Sequence, residues 1–306
     1  MQRKNLCADG LYQIVRGKFN DVPEHRSNLK NVKVRMPDAL SSALAVFAFK
    51  MPSLLTYDRE RENPNLKSLF KIQHVPSDTQ LREILDPMPG EELRPAYDAI
   101  LRELQKGKAL EEFQFLNGRY LIVLDGTGFY ASSHISCPQC LRKNTRSDGE
   151  CFYHQLLGAS IVHPDIKQVI PLFPEAIIRE DGQEKNDCER NASIRWVEKF
   201  RRHHPKMSAV IIEDSLASNV PHLRHLEKHR LNYICGVKPA GHKYLFEQFG
   251  INKSTGLSHR YDLRQVRQEK VRKEHHFHLE YINGLELNAS HAGFKVNMFV
   301  CTESIS

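Results

Sequence analysis

Three of the seven cysteines crowd into one short segment of the chain. Cys137-Pro-Gln-Cys140 is followed, after ten residues, by Cys151-Phe-Tyr-His154, a C-x2-C…C-x2-H arrangement. Thiolates and an imidazole at that spacing suit a tetrahedral structural Zn2+ held by Cys137, Cys140, Cys151 and His154. His134, three residues before Cys137, is an alternative to Cys151 or His154 as the fourth ligand. The competing readings are a redox pair at Cys137 and Cys140, or reduced core cysteines beside a strand histidine.

Carboxylates offer a second chemistry. Tyr120-Leu-Ile-Val-Leu124 is a short run of strand formers that ends in Asp125-Gly-Thr-Gly128, which reads as a turn, and the apolar run Ser208 to Glu213 ends in Asp214. A lone Asp at a strand end ordinarily starts a turn or caps a helix. Two on neighbouring strands can share Mg2+ or Mn2+, which activates a water and stabilises the leaving oxygen of a phosphodiester. Glu213 is the weaker candidate, because alternation points it away from Asp214. Asp125-Gly-Thr127 also resembles the nucleophile loop of haloacid dehalogenase-like phosphatases. That loop needs a second Asp two residues on, where this chain has Thr127, and shifting the match puts Val123 in the nucleophile's place.

The elements that must position these groups follow from composition and periodicity. At 306 residues, 40% hydrophobic and 26% charged, the chain has room for about two globular domains and is neither disordered, collagenous nor a coiled coil. No internal repeat interrupts it. Helices are expected over Pro37 to Met51, Leu66 to Ile72, Leu81 to Leu85 behind a Ser77–Gln80 capping box, and Glu91 to Lys106. An all-α amino-terminal domain over 1–115 results. Strands are expected at Tyr120 to Leu124, Phe152 to Val162 and Gln168 to Ile178, the last two joined through His163-Pro-Asp165. A helix behind an Asn186–Glu189 capping box, the strand ending at Glu213, a helix over Asn219 to Arg230 and a strand over Asn232 to Val237 complete the series. This order, strand-strand-strand-helix-strand-helix-strand, matches a ribonuclease H-like α/β core over 116–306, a mixed five-stranded sheet with flanking helices and a zinc-binding insert around 134–154. In that core the first and fourth strands adjoin, bringing Asp125 to Asp214. No single period fits the chain after about residue 240.

A series of local sequences then resembles one family. Asn65-Leu-Lys-Ser-Leu-Phe-Lys-Ile72, Val75-Pro-Ser-Asp-Thr-Gln-Leu81, Phe115-Leu-Asn-Gly118 and Leu124-Asp-Gly-Thr-Gly128 occur in order. Tyr153-His-Gln155, Gln183-Glu-Lys-Asn-Asp-Cys-Glu-Arg-Asn191 and Glu213-Asp-Ser-Leu-Ala-Ser-Asn219 follow. Together they are similar to bacterial insertion-sequence transposases of the DDE class. The resemblance implies metal-dependent cleavage and strand transfer of transposon DNA, with Asp125 and Asp214 as the first two metal-binding acids, and assembly as a homo-oligomer. The family's third acid lies in the signature Tyr-x2-Arg-x3-Glu-x6-Lys on a helix. The nearest match, Tyr261-Asp-Leu-Arg264, puts Gln268 where Glu belongs and His275 where Lys belongs, with Glu269 one position out of register. That match reads as coincidence, so the expectation is a truncated, catalytically impaired copy, with a non-catalytic zinc-containing DNA-binding remnant as the alternative.

Net charge and targeting signals agree with a nucleic-acid partner. The formal charge is +7, and Lys199 to Lys206 and Arg260 to Lys273 are basic stretches able to meet phosphates. The Ser77 to Leu85 helix, with Gln80, Arg82 and Glu83, is a candidate DNA-reading helix. The longest apolar stretch, Ala39 to Phe49, is too short for a membrane span, and no secretory signal opens the chain, so a cytoplasmic protein with no membrane partner is expected.

Overall fold

The structure, a computed structural model, describes residues 6–27, 30, 32–145, 149–178, 187–268 and 272–305. It is a mixed α/β protein with, among the described residues, nine α-helices and a seven-stranded mixed sheet. By contacts the chain divides into two compact units, residues 1–123 with 156–176, and residues 124–155 with 177–306.

Helices dominate the first unit: α1 (Ala8–Phe19), α2 (Met36–Ala48), α3 (Leu54–Arg59), α4 (Pro64–Phe70), α5 (Asp78–Leu85) and α6 (Arg94–Lys106). Their starts obey local chemistry. Pro37 and Pro64 occupy first-turn positions, where the missing N–H costs nothing. The Ser77–Gln80 capping box closes reciprocally, as its sequence predicts. The apolar faces meet around Met36, Ala39, Leu40, Leu81 and Ile84 in one cluster, and around Tyr57, Leu66, Phe70 and Ile72 in another. Asp38 is buried within α2, where it takes a 2.7 Å ion pair from Arg16 of α1 and hydrogen bonds from the backbone N–H groups of Gln73 and His74. One charge thereby joins α1, α2 and the segment after α4. From the 156–176 segment of the same unit, Phe173 packs edge-on against Tyr97 and lies under the Arg94 guanidinium, 4.2 Å from its centroid.

The seven-stranded sheet comprises β1 (Gln114–Phe115), β2 (Arg119–Ser132), β3 (Leu141–Thr145), β4 (Gly149–His163), β5 (Ile166–Ile177), β6 (Ala209–Glu213) and β7 (Asn232–Cys235). Its order is β3-β4-β2-β6-β7, with β5 also on β4 and β1 on β2. It therefore has two strands more than the expected five, because β3 and β1 are short antiparallel additions to strands already foreseen. The pairing of β6 with β7 is parallel, which makes the sheet mixed.

A second difference concerns Asp125-Gly-Thr-Gly128. The expected turn does not form: β2 runs unbroken through it to Ser132. Asp and Gly are turn formers only where no sheet partner claims their backbone, and here β4 lies alongside.

Helix α7 (Glu189–His203) opens at Cys188 without a side-chain cap. Asn186, expected as its cap, lies outside the described residues. Helix α8 (Val220–Lys228) starts as foreseen, with Asn219 accepting from the His222 N–H and Pro221 in the first turn. Helix α9 (Lys243–Ser254) follows. A separate antiparallel sheet, β10-β9-β8, is built from β8 (His259–Gln268), β9 (Arg272–Glu286) and β10 (Lys295–Ile305). Among the described residues no helix is long and apolar enough to cross a membrane.

Candidate metal centres

Asp125 sits on β2 and Asp214 directly after β6, and these two strands are neighbours in the sheet. Both side chains are exposed. Asp125 has no hydrogen-bond or ion-pair partner among the described residues, and Asp214 uses one carboxylate oxygen to accept from the Leu216 N–H at 2.8 Å. Oxygens left free in this way are available to a cation.

The loop after Asp214 is held tightly. The Ala217 N–H bonds back to the Asp214 carbonyl at 3.3 Å, and His242 Nε2 contacts the Ser218 carbonyl at 3.0 Å. Glu213 turns inward, as alternation requires, and its buried carboxylate meets Ser193 Oγ at 2.7 Å and His222 Nε2 at 2.6 Å. Those two partners had no signal in the sequence, because their helices bring them in from 20 residues before and nine after. Gly236, whose N–H bonds to the Glu213 carbonyl at 3.0 Å, runs so close that a Cβ there would lie 3.2 Å from the Ser215 backbone nitrogen. A side chain at 236 would press on the backbone that carries Asp214.

Cys235 stands opposite Glu213 in the β6–β7 register. Burial first, then the charges of Glu213 and Asp214, push its thiol up to about 12. The protonated form therefore persists through neutral and mildly alkaline pH, and only the thiolate is nucleophilic. Alkylation by iodoacetamide at pH 8 is expected to label exposed Cys188 and Cys301 long before Cys235, as read by peptide mass spectrometry. Equal labelling of Cys235 would remove the charged neighbourhood inferred here.

Gln155 and Glu189 join the vicinity of Asp125. Gln155 Nε2 donates to Glu189 Oε1 at 2.6 Å, and a Cβ on Gly126 would collide with that carboxylate. Three of the local sequences behind the family resemblance, those around Asp125, Gln155 and Glu189, thus converge at one glycine. Among the described residues no group of three metal-ligating atoms within 4.8 Å includes Asp125 or Asp214. The Tyr261 to Arg264 match lies on strand β8, not on a helix. On it Arg264 pairs with Glu274 of β9, where His275 contacts Glu303 of β10 at 2.6 Å. Glu269 lies outside the described residues.

The cysteine segment forms a cluster of three. Cys137 Sγ and Cys140 Sγ lie 3.6 Å apart, and each is 3.3 Å from His154 Nε2. Cys151 stays out, its Sγ directed to the Phe152 carbonyl at 3.8 Å. The reason is parity: Cys151 and His154 are both on β4, and residues three apart on a strand face opposite sides. His134 contacts Ser133 Oγ at 2.8 Å and is likewise outside the cluster.

Several cations of the basic stretches are already engaged. Arg201 donates to the carbonyls of His204, Pro205 and Met207, and Arg260 pairs with Glu280 at 3.3 Å. A cavity of about 380 Å³ is lined by Lys206, Lys228 and Arg230 together with Arg201 and His229. No family model matches the chain, and no curated protein matches it either.

Proposed function

We propose that this chain is a DNA transposase of the DDE class, built on a ribonuclease H-like core, with Asp125 and Asp214 as its metal-binding acids. The observation that carries the reading is the adjacency of β2 and β6: Asp125 lies on the first and Asp214 directly follows the second, although 89 positions (214 minus 125) separate them. The path β5-β4-β2-β6-β7 supports the fold assignment, since it is the order in which such a core pairs its first five long strands.

In this role the free oxygens of Asp125 and Asp214 would hold divalent ions, and Glu213 anchors the β6 end through Ser193 and His222. Bound Mg2+ or Mn2+ would supply Lewis acidity to the in-line attack of water, then of a 3′ hydroxyl, on a phosphodiester. Lys206, Lys228 and Arg230 face one cavity and meet DNA phosphates, and the α5 helix remains the candidate reader of the transposon end. Pairing two ends calls for a homo-oligomer. That no group of three metal-ligating atoms among the described residues includes Asp125 or Asp214 favours a second reading, a non-catalytic zinc-containing DNA-binding remnant. Mg2+-dependent nicking by the wild-type chain and by the Asp125 and Asp214 variants separates the two readings.

A structural Zn2+ belongs to the same proposal. Tetrahedral Zn–S and Zn–N bond lengths set S–S edges of about 3.8 Å and S–N edges of about 3.5 Å, close to the 3.6 and 3.3 Å found among Cys137, Cys140 and His154. A water would complete the fourth corner, since Cys151 and His134 lie outside the cluster. The Cys137→Ser, Cys140→Ser double variant is expected to carry about one zinc fewer per chain than wild type, by elemental analysis of protein prepared without chelator. An unchanged zinc content would sink this assignment.

A further inference from the structure

A different set of ligand-type side chains lies on the helices flanking the sheet, away from the cysteine cluster. Helix α7 carries Glu198, and helix α8 carries His225 in its last turn, with His229 as the residue that ends it. The two histidines are four apart and so share one helix face; their ring centroids are 4.7 Å apart. One carboxylate oxygen of Glu198 and one nitrogen of each ring all lie within 4.8 Å of one another.

A further observation points to a ligand. His225 Nε2 is buried and has no hydrogen-bond partner, a costly state for a polar atom if nothing fills it. The ring also makes a hydrogen bond to the Ile194 backbone, which, with Nε2 unpartnered, falls to Nδ1. A backbone carbonyl on one ring nitrogen and a free lone pair on the other is how ligating histidines are oriented.

We propose that Glu198, His225 and His229 form a transition-metal site of two imidazoles and one carboxylate, which takes a borderline divalent ion such as Zn2+ and keeps a coordination position open to solvent. Nitrogen-rich donors favour Zn2+, Co2+ or Ni2+ over Mg2+. Three protein ligands leave a fourth corner for water, unlike a closed structural site. The inference is independent of the transposase reading and of the cysteine cluster.

The test uses the full chain carrying Cys137→Ser and Cys140→Ser, so that the cysteine cluster is silent, and Zn2+ alone as the probe in equilibrium dialysis at pH 7.5. This parent is expected to bind Zn2+, and adding Glu198→Gln or His229→Ala should weaken the affinity at least tenfold. Glu198 is exposed, so its substitution leaves the fold intact, which far-ultraviolet circular dichroism checks. Cys188→Ser and Cys301→Ser, exposed cysteines outside every proposed site, should leave the affinity within about threefold in the same background. Absence of Zn2+ binding by the parent, a loss below tenfold with either Glu198→Gln or His229→Ala, or an equal loss with these Cys variants would overturn the site.

Discussion

Asp125→Ala and Asp214→Ala are each expected to bring metal-dependent nicking of DNA down to background while DNA binding persists. Asp125 lies on β2 and Asp214 directly follows the neighbouring β6, and in the proposed site the ions rest on both of them. Groups that act as a unit lose nearly the whole effect when one is removed, on the order of 10³-fold or more. The wild-type rate is itself expected to be low, because two acids leave the ions under-coordinated. Hours of incubation in Mn2+ with supercoiled plasmid are the appropriate assay. Binding answers to different residues. If about six phosphates are neutralised, affinity falls roughly 10³-fold between 50 and 200 mM salt, with the same slope in wild type and variants. Nicking that survives either substitution would sink the catalytic assignment. Steep salt-dependent binding without any nicking favours the remnant.

The second large effect concerns stability. Asp38→Ala is expected to destabilise the helical unit by about 3–5 kcal/mol, the range for breaking a buried pair by deleting one partner. Its side chain is 5% exposed and that of Arg16 19%. Deletion leaves the guanidinium with only its Ser41 hydrogen bond and strands two backbone N–H groups, those of Gln73 and His74, in the interior. A urea transition followed by circular dichroism should move to markedly lower denaturant, and Arg16→Ala should cost less, because Asp38 keeps its two backbone donors. A loss below about 1 kcal/mol for Asp38→Ala would mean that water reaches the site.

How much of this was legible depended on whether the deciding interaction was local. The Ser77–Gln80 box and the Asn219 cap with Pro221 are complete within four residues, and both helices begin where those residues place them. The apolar runs ending at Leu124 and Glu213 announced β2 and β6, and their adjacency followed from element order. Strand β2 was cut short because Asp125-Gly-Thr-Gly128 carries turn residues, and only the partner strand overrules them. Strands β8 to β10 were illegible for another reason. Residues such as Arg260, Arg264 and Val266 are exposed, so burial imposes no alternation on their types. Helix α1 buries little beyond Val15 and Phe19, too weak a stripe to stand out. At the candidate sites, the grouping of Cys137, Cys140 and His154 is readable from type and spacing. Cys151 was misjudged because spacing ignores strand parity. Glu198 and His225, on separate helices, have no shared local pattern to read.

Neighbouring residues His154 and Gln155 serve opposite faces of β4. His154 meets the two cysteine sulfurs, while Gln155 holds Glu189 beside Gly126. A one-residue slip turns every side chain of a strand to the other face. Here a shift by one residue would swap imidazole and amide, emptying the sulfur cluster and unseating Glu189 in the same step. The stretch from 151 to 155 is therefore a place where substitution can be graded but a one-residue insertion or deletion cannot. An insertion scan along β4 should show a sharp notch of intolerance there, flanked by the freer hairpin ends at 149 and 163.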